Sequence, residues 1–281
     1  MLNIFKKRFK DRVVVITGAG SGIGRATVQA FAKQGAVIHL VDIHRGRVEE
    51  AAAEARLLCP QAHAHVADVR DAEAMEALAE RIYGRHSRVD VLVNNAGVAH
   101  GGLVHETTLD DWRWVLDVNL WGVIHGIHAF VPRLIDQGGD AHIVNTASIA
   151  GLAGVPSMVP YSTSKFAVVG LSEALGAELL PHGIRVTAIC PGVISTDIVR
   201  AGRLEGAVGE RKRQVMDFYE KLGIPPERVA RDIVRAVRHG TPLATTLGAS
   251  YPVLMLKRLS PRLYRSTARF ALGRILGADR S

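Results

Sequence analysis

Arg12-Val13-Val14-Val15-Ile16-Thr17-Gly18-Ala19-Gly20-Ser21-Gly22-Ile23-Gly24 decides the reading of this chain. A β-branched apolar run ends in a turn with glycine at every second position, and a helical pattern over 23–34 follows. Glycine permits positive φ and close backbone approach. A helix opening behind such a turn aims its free N–H groups at an anion. A pyrophosphate fits there; a plain turn is the other reading, and the strand-before, helix-after context favours the phosphate site.

Outward from this stretch the alternation repeats. Apolar, β-rich runs at 12–17, 36–41, 62–67, 89–93, 141–146 and 184–190 predict strands, and 244–247 predicts a seventh. Helical patterns fill 23–34, 47–58, 71–85, 109–137 and 161–181. Strands that are apolar almost throughout are covered on both faces. Strand and helix in alternation predict an α/β fold: a doubly wound parallel sheet with right-handed crossovers and helices on both faces. The least regular part, 196–226, reads as a helical excursion suited to a lid.

The 281 residues are enough for one large domain and too few for two comfortable cores. At 48% hydrophobic and 22% charged, the composition is that of a globular chain. Two cysteines, Cys59 and Cys190, give no disulfide framework and no metal-ligand spacing, so a reducing compartment and no metal are expected. No run reaches the ~18 consecutive apolar residues of a membrane span. The N-terminus lacks the apolar stretch and cleavage site of a secretory signal, which predicts a cytoplasmic protein. Charge sits at the ends: residues 1–12 carry +4 and 251–281 carry +6, which leaves −2 for 13–250 when the whole chain is +8. The expected organisation is a basic segment 1–11, one domain 12–250, and a basic amphipathic helical extension 251–281.

Several residues carry chemistry. Asp42 ends the second strand, 18 residues after Gly24. An acid at this offset bonds the ribose hydroxyls of NAD and repels the 2′-phosphate of NADP, while capping of the next helix is its other reading. Arg45 nearby is a cation that tolerates a phosphate, so NADP is not excluded. Asp68-Val69 and Asn94-Asn95-Ala96-Gly97 close strands at the edge where open α/β sheets bind ligands, although Asn, Asp and Gly also favour ordinary turns. Tyr161 and Lys165 stand one helical turn apart, a spacing that also arises by chance. The ammonium lowers the phenol from its usual ~10 toward the range for proton transfer. Ser148, at the end of the fifth strand, can bond the same substrate oxygen.

Taken in order, Thr17-Gly18-x-x-x-Gly22-Ile23-Gly24, Asp68, Asn94-Asn95-Ala96-Gly97, Asn119, Ser148, Tyr161-x-x-x-Lys165 and Pro191-Gly192-x-x-x-Thr196 resemble the short-chain dehydrogenase/reductase superfamily in its compact single-domain branch. The likeness covers roughly residues 11 to 240. It implies a Rossmann-type sheet and an oxidoreductase with Tyr161 as general acid/base, Ser148 on the substrate oxygen, and Lys165 on the phenol and the nicotinamide ribose. Asn119 would organise a proton-relay water. The cofactor residues so implied are Gly18, Ser21, Gly22, Ile23, Gly24, Asp42, Asp68, Val69, Asn95, Ala96, Gly97, Tyr161, Lys165, Ile194 and Thr196. A homodimer or homotetramer paired through the helices at 109–137 and 161–181 is the family expectation.

The cleft wall Ile149-Ala150-Gly151-Leu152-Ala153-Gly154-Val155-Pro156-Ser157-Met158-Val159 is apolar and offers no cation to clamp a carboxylate or phosphate. It predicts a hydrophobic alcohol or ketone of steroid, retinoid, fatty or alicyclic class; packing under the lid is the alternative. On a helix over 257–270, Arg258, Arg262, Arg265 and Arg269 form one stripe, beside Leu259, Leu263 and Phe270, with Pro261 in the first turn. The N-terminal Leu2, Ile4, Phe5 and Phe9 among basic residues repeat this character. Peripheral contact with an anionic inner membrane surface, a solvated face and packing on another subunit all remain open. Nucleic acid is not expected, since no reader helix or stacking platform accompanies the charge. A catalytically idle dinucleotide-binding sensor or membrane-associated scaffold is the alternative to an enzyme.

Overall fold

The computed structural model describes residues 9–246 and 250–276, of which 250–254, 271–272 and 274–276 are described by backbone alone. Leu2, Ile4, Phe5 and Leu247 lie outside the described residues.

Seven strands form one parallel sheet: β1 Val13–Thr17, β2 Val37–Asp42, β3 Ala62–Val66, β4 Val91–Asn94, β5 Ala141–Thr146, β6 Ile184–Cys190 and β7 Leu243–Thr245. Their spatial order is β3-β2-β1-β4-β5-β6-β7. The order reverses between β1 and β4, which opens a crevice at the carboxyl ends of the strands. The doubly wound reading is therefore correct, with β4 and β7 displaced by a residue or two from their expected bounds.

The apolar runs of the sequence serve two cores. Val14 and Ile16 of β1 enter one core with residues of α1 (Gly22–Ala32), α2 (Arg45–Arg56) and the late helix Pro226–His239. Val13 and Val15 enter the other, under α3 (Ala72–Tyr83). Side chains alternate along a strand, so a strand covered on both faces must be apolar at every position. Phe9 is buried in the first core, edge-on to Phe31 with ring centroids 5.1 Å apart. It is a core residue, which corrects its reading as part of an exposed amphipathic segment.

The expected helix over 109–137 is not continuous. It runs as α4 (Leu109–Leu116), a π-helical turn at Asp117–Trp121, and α5 (Gly122–Asp136). The wide turn carries Asn119, whose side chain bonds the Val98 backbone. Beyond it Gly122 packs on Val69, and a Cβ there would lie 2.7 Å from Val69 Cγ2. At mean hydropathy 1.2, Leu109–Asp136 has the length and composition that a membrane span and a core helix share. Val123, Ala129, Phe130 and Leu134 of α5 are buried in the fold.

α6 (Val159–Leu179) carries Tyr161 and Lys165 in its first turns. After β6 the excursion folds as α7 (Ile198–Ala201), α8 (Gly206–Gly209) and α9 (Lys212–Leu222), and Arg203–Leu204 pairs with His100–Gly101. α10 (Pro226–His239) and β7 complete the sheet layer. The C-terminal extension is two helices, α11 (Ser250–Leu259) and α12 (Pro261–Leu276). Proline lacks an N–H and is tolerated only at a helix start. Arg258 therefore belongs to α11, and the single four-arginine stripe is corrected to Arg262, Arg265 and Arg269 on α12.

Candidate active site

The glycine turn closes against the residues singled out around it. Gly18 and Gly22 adopt φ of +63° and +50°, which L side chains rarely take. A Cβ at Gly18 would meet Ala96 Cα at 2.8 Å, one at Gly20 would meet Asp42 Oδ2 at 2.9 Å, and one at Gly22 would meet Thr196 Cγ2 at 3.1 Å. No side chain caps α1 after Ser21, so its first N–H groups have no cap competing with an anion. Ile23 packs on the core beneath.

Thr17, which the sequence reading left unassigned, ties this turn to β4. Its hydroxyl accepts from Asn95 N at 2.9 Å and Ala96 N at 3.1 Å, while Asn95 Nδ2 donates to Thr17 O at 3.0 Å. Gly97 leaves room beside Asn119 and Lys165: a Cβ there would lie 3.2 Å from Asn119 Oδ1 and 3.6 Å from Lys165 Nζ.

Asp42 is buried at the end of β2, where it accepts from Gly20 N at 2.9 Å and His44 N at 3.0 Å. His44 is the residue preceding α2, so Asp42 is not that helix's N-cap. Arg45 is paired with Glu49 at 3.3 Å. Asp68 is engaged by the Arg70 guanidinium, which lowers its carboxyl below the usual range. The Val69 side chain is buried, and its carbonyl shares a 2.9 Å hydrogen bond with His125 Nδ1. Ile194 is a core residue bridged to Ile224, so the excursion returns to the sheet beside Thr196.

Asn119, Ser148, Tyr161 and Lys165 meet over the ends of β4, β5 and β6. The buried Ser148 hydroxyl accepts from Ala150 N at 3.1 Å and faces the Tyr161 phenol. Burial raises the phenol above its ordinary value, the second phenol of Tyr219 adds in the same direction, and the Ser148 hydrogen bond opposes both. Lys165 Nζ donates to Thr146 O at 2.8 Å and lies 5.7 Å from the Tyr161 ring centroid. Burial lowers its ammonium to about 8. The expected lowering of the phenol by Lys165 is therefore corrected: desolvation outweighs a cation held at this distance.

Behind them runs a chain of hydrogen bonds. Asn119 Nδ2 donates to Ser164 Oγ at 3.2 Å, and Ser164 Oγ donates to Tyr161 O at 2.7 Å. The π-helical turn is thus tied to the first turn of α6. Tyr219 of α9 is the main residue that sequence reading missed. It lines a cavity of about 200 Å³ with Thr196, Val199 and Met216. Cys190, at the end of β6, is a buried thiol pushed up to about 12 by desolvation.

A doubly wound sheet with a glycine turn at its crevice and a Ser-Tyr-Lys cluster beside it defines a dinucleotide-binding fold with a polar site at the strand ends. The family described as short chain dehydrogenase matches residues 12–205, and the chain belongs to it. It is 41% identical over 267 residues to "Probable oxidoreductase EphD" of Mycobacterium tuberculosis, a match spanning 93% of this chain but only 45% of that protein. It is 35% identical over 240 residues to C alpha-dehydrogenase of Sphingobium, spanning 82% of this chain and 79% of that one. Among solved structures, a short chain dehydrogenase/reductase from Burkholderia phymatum in complex with NAD superposes with TM-score 0.83 at 32% identity, covering 92% of this chain and 96% of that one.

Proposed function

We propose that the chain is an NAD(P)-dependent oxidoreductase interconverting a hydrophobic secondary alcohol and its ketone, with Tyr161 as general acid/base. The observation that carries this reading is the meeting of the Tyr161 phenol, the Ser148 hydroxyl and the buried Lys165 ammonium beside the glycine turn.

The turn suits a dinucleotide, since side chains at Gly18, Gly20 and Gly22 would fill the cradle. Gly18 to Gly24, with Ser21, would hold the pyrophosphate, Asp42 the adenosine ribose, and Lys165 the nicotinamide ribose. Asp68, Val69 and Asn95 to Gly97 would flank the adenine side, and Ile194 and Thr196 the carboxamide. Bound nicotinamide supplies or accepts the hydride. Tyr161 gives its proton to the carbonyl oxygen in reduction and takes the hydroxyl proton in oxidation. Ser148 donates to the same oxygen and fixes its position. Lys165 Nζ, held by Thr146 O, lies 5.7 Å from the Tyr161 ring centroid and would reach the ribose hydroxyls. Asn119 and Ser164 hold the α6 backbone at Tyr161, and Asn119 would organise a relay water.

Asp42, fixed by Gly20 N and His44 N, supports NAD, as does the pairing of Arg45 with Glu49. The wall over 149–159 supports steroid, retinoid, fatty or alicyclic substrates, and the α4–α5 segment with α6 would pair subunits in a homodimer or homotetramer. The test is a screen of lipophilic alcohols with NAD and NADP in parallel, followed by Tyr161→Phe on any substrate found. The variant should lose ~10²–10⁴-fold in kcat while still binding NADH. Turnover at the unmodified rate rejects the role of Tyr161.

A further inference from the structure

The C-terminal helix pair joins the body at a specific place. Lys257 Nζ donates to Leu152 O at 2.8 Å and lies 4.4 Å from the Phe166 ring centroid. Tyr264 OH donates to Gly154 O at 2.6 Å. Both acceptors belong to the loop between Ser148 and Tyr161, so the pair is seated on the wall of the cleft.

On α12, Tyr264 and Ala268, one turn apart, are half-buried, while residues 261–263, 265–267 and 269–270 are exposed. The outward face carries Arg262, Arg265 and Arg269 along one stripe and Leu263 and Phe270 along the next. Leu263 is 53% exposed and Phe270 62%, and at the end of α11 Leu259 is 82% exposed beside the exposed Arg258. Residues 250–276 contain no acidic residue. Among the described residues none of these four arginines forms an ion pair.

We propose that this face is a docking surface for an anionic lipid bilayer. Cations drawn to negative headgroups, next to large apolar side chains that enter the acyl boundary, are what interfacial binding requires. A second copy of the chain fits less well, because a two-fold contact would set the arginine stripe against itself with no carboxylate between. A polyanion without an apolar layer leaves Leu259, Leu263 and Phe270 uncovered. Gly154 and Phe166, which Tyr264 and Lys257 contact, also line a mostly apolar groove of about 520 Å³ with Val155, Pro156 and Val159. On the reading above, that groove is where lipophilic molecules would leave the membrane for the cleft; the docking itself does not depend on that reading.

The test is co-sedimentation of the full chain with vesicles of phosphatidylcholine alone and of phosphatidylcholine mixed with phosphatidylglycerol. The chain should pellet with the mixed vesicles at low salt and be released at high salt. The triple substitution Arg262→Gln, Arg265→Gln, Arg269→Gln should weaken partitioning on the order of 100-fold. Leu263→Ser with Phe270→Ser should weaken it as well, which separates a bilayer from a simple polyanion. These side chains are exposed, so thermal unfolding should be unchanged in both variants. Failure of the unmodified chain to pellet, equal partitioning of the arginine variant, or a concentration-dependent dimer that the Leu263 and Phe270 changes abolish would each overturn the proposal. Vesicle binding is read without turnover, so its failure and that of the enzymatic reading are separate results.

Discussion

Substituting Gly24→Ala pits two effects against each other. Gly24 lies inside α1, where alanine is favoured over glycine by about 1 kcal/mol of helix propensity. The added Cβ, however, would overlap the Gly18 carbonyl oxygen, and would lie 2.7 Å from Asn95 Nδ2 and from the Gly18 carbonyl carbon. Gly18 is backbone held at positive φ, and Asn95 Nδ2 is the donor to Thr17 O, so neither can swing aside cheaply. Overpacking of this kind costs about 1–3 kcal/mol, and more where backbone must shift. The overlap wins, and a net loss of about 1–2 kcal/mol lowers Tm by roughly 2–8 °C.

Gly170→Ala in α6 is the control. Gly170 is exposed, and nothing lies within 4 Å of its missing Cβ. Only the propensity gain remains, and Tm should rise by roughly 2–4 °C. Thermal unfolding of both variants, with NADH titration by fluorescence, measures the contrast. Gly24→Ala should also bind NADH more weakly, because the turn must open to admit the methyl. A Gly24→Ala protein as stable as its parent, with NADH affinity unchanged, would refute the reasoning.

Three further expectations follow from the geometry. Asp42→Ala removes a charge that opposes a 2′-phosphate, so the ratio of kcat/KM for NADPH to that for NADH should rise by roughly tenfold or more; an unchanged ratio would mean that Asp42 does not select the cofactor. Desolvation lowers His39 to about 2 and His142 to about 4, below the ordinary ~6.5. The unfolded chain therefore binds protons that the native chain refuses, so stability is full above pH ~6.5 and falls from there toward pH 4, by about 1.4 kcal/mol per pH unit for each imidazole. Urea unfolding from pH 7.5 to 5 should show this slope, and His39→Leu should flatten it; a pH-independent midpoint would contradict buried neutral imidazoles. Asn119→Ala cuts the link through Ser164 to the Tyr161 backbone, so kcat should fall with little change in the KM for NADH; an equal rise in that KM would assign Asn119 to cofactor binding instead.

Much of the site was legible because its parts are local. A strand, a glycine turn and a helix start are adjacent in the chain, and Tyr161 and Lys165 are one turn apart. Ser148 and Asn119 required the order of motifs, since neither has a local pattern that marks it. Tyr219 carried no such mark: an aromatic in an amphipathic stretch of the excursion reads the same whether it faces solvent or the cleft. The histidines were invisible for a similar reason. His39 and His63 are register partners on β2 and β3, and His39 shares a 2.8 Å hydrogen bond with His65, a clustering that strand pairing alone creates.

The sequence by itself determined the alternation of elements, the covered parallel sheet and the chemical groups at its edge. These follow from side-chain periodicity and from glycine, proline and β-branched geometry, which act within a few residues. The tertiary structure decided which groups touch and what their pKa values become. Thr17 meets Asn95 across 78 residues, Asn119 meets Ser164 across 45, and Tyr264 meets Gly154 across 110. Desolvation, which raises Tyr161 and lowers Lys165, belongs to the assembled interior. No segment of the chain carries it until the sheet, the π-helical turn and α6 have closed around the site.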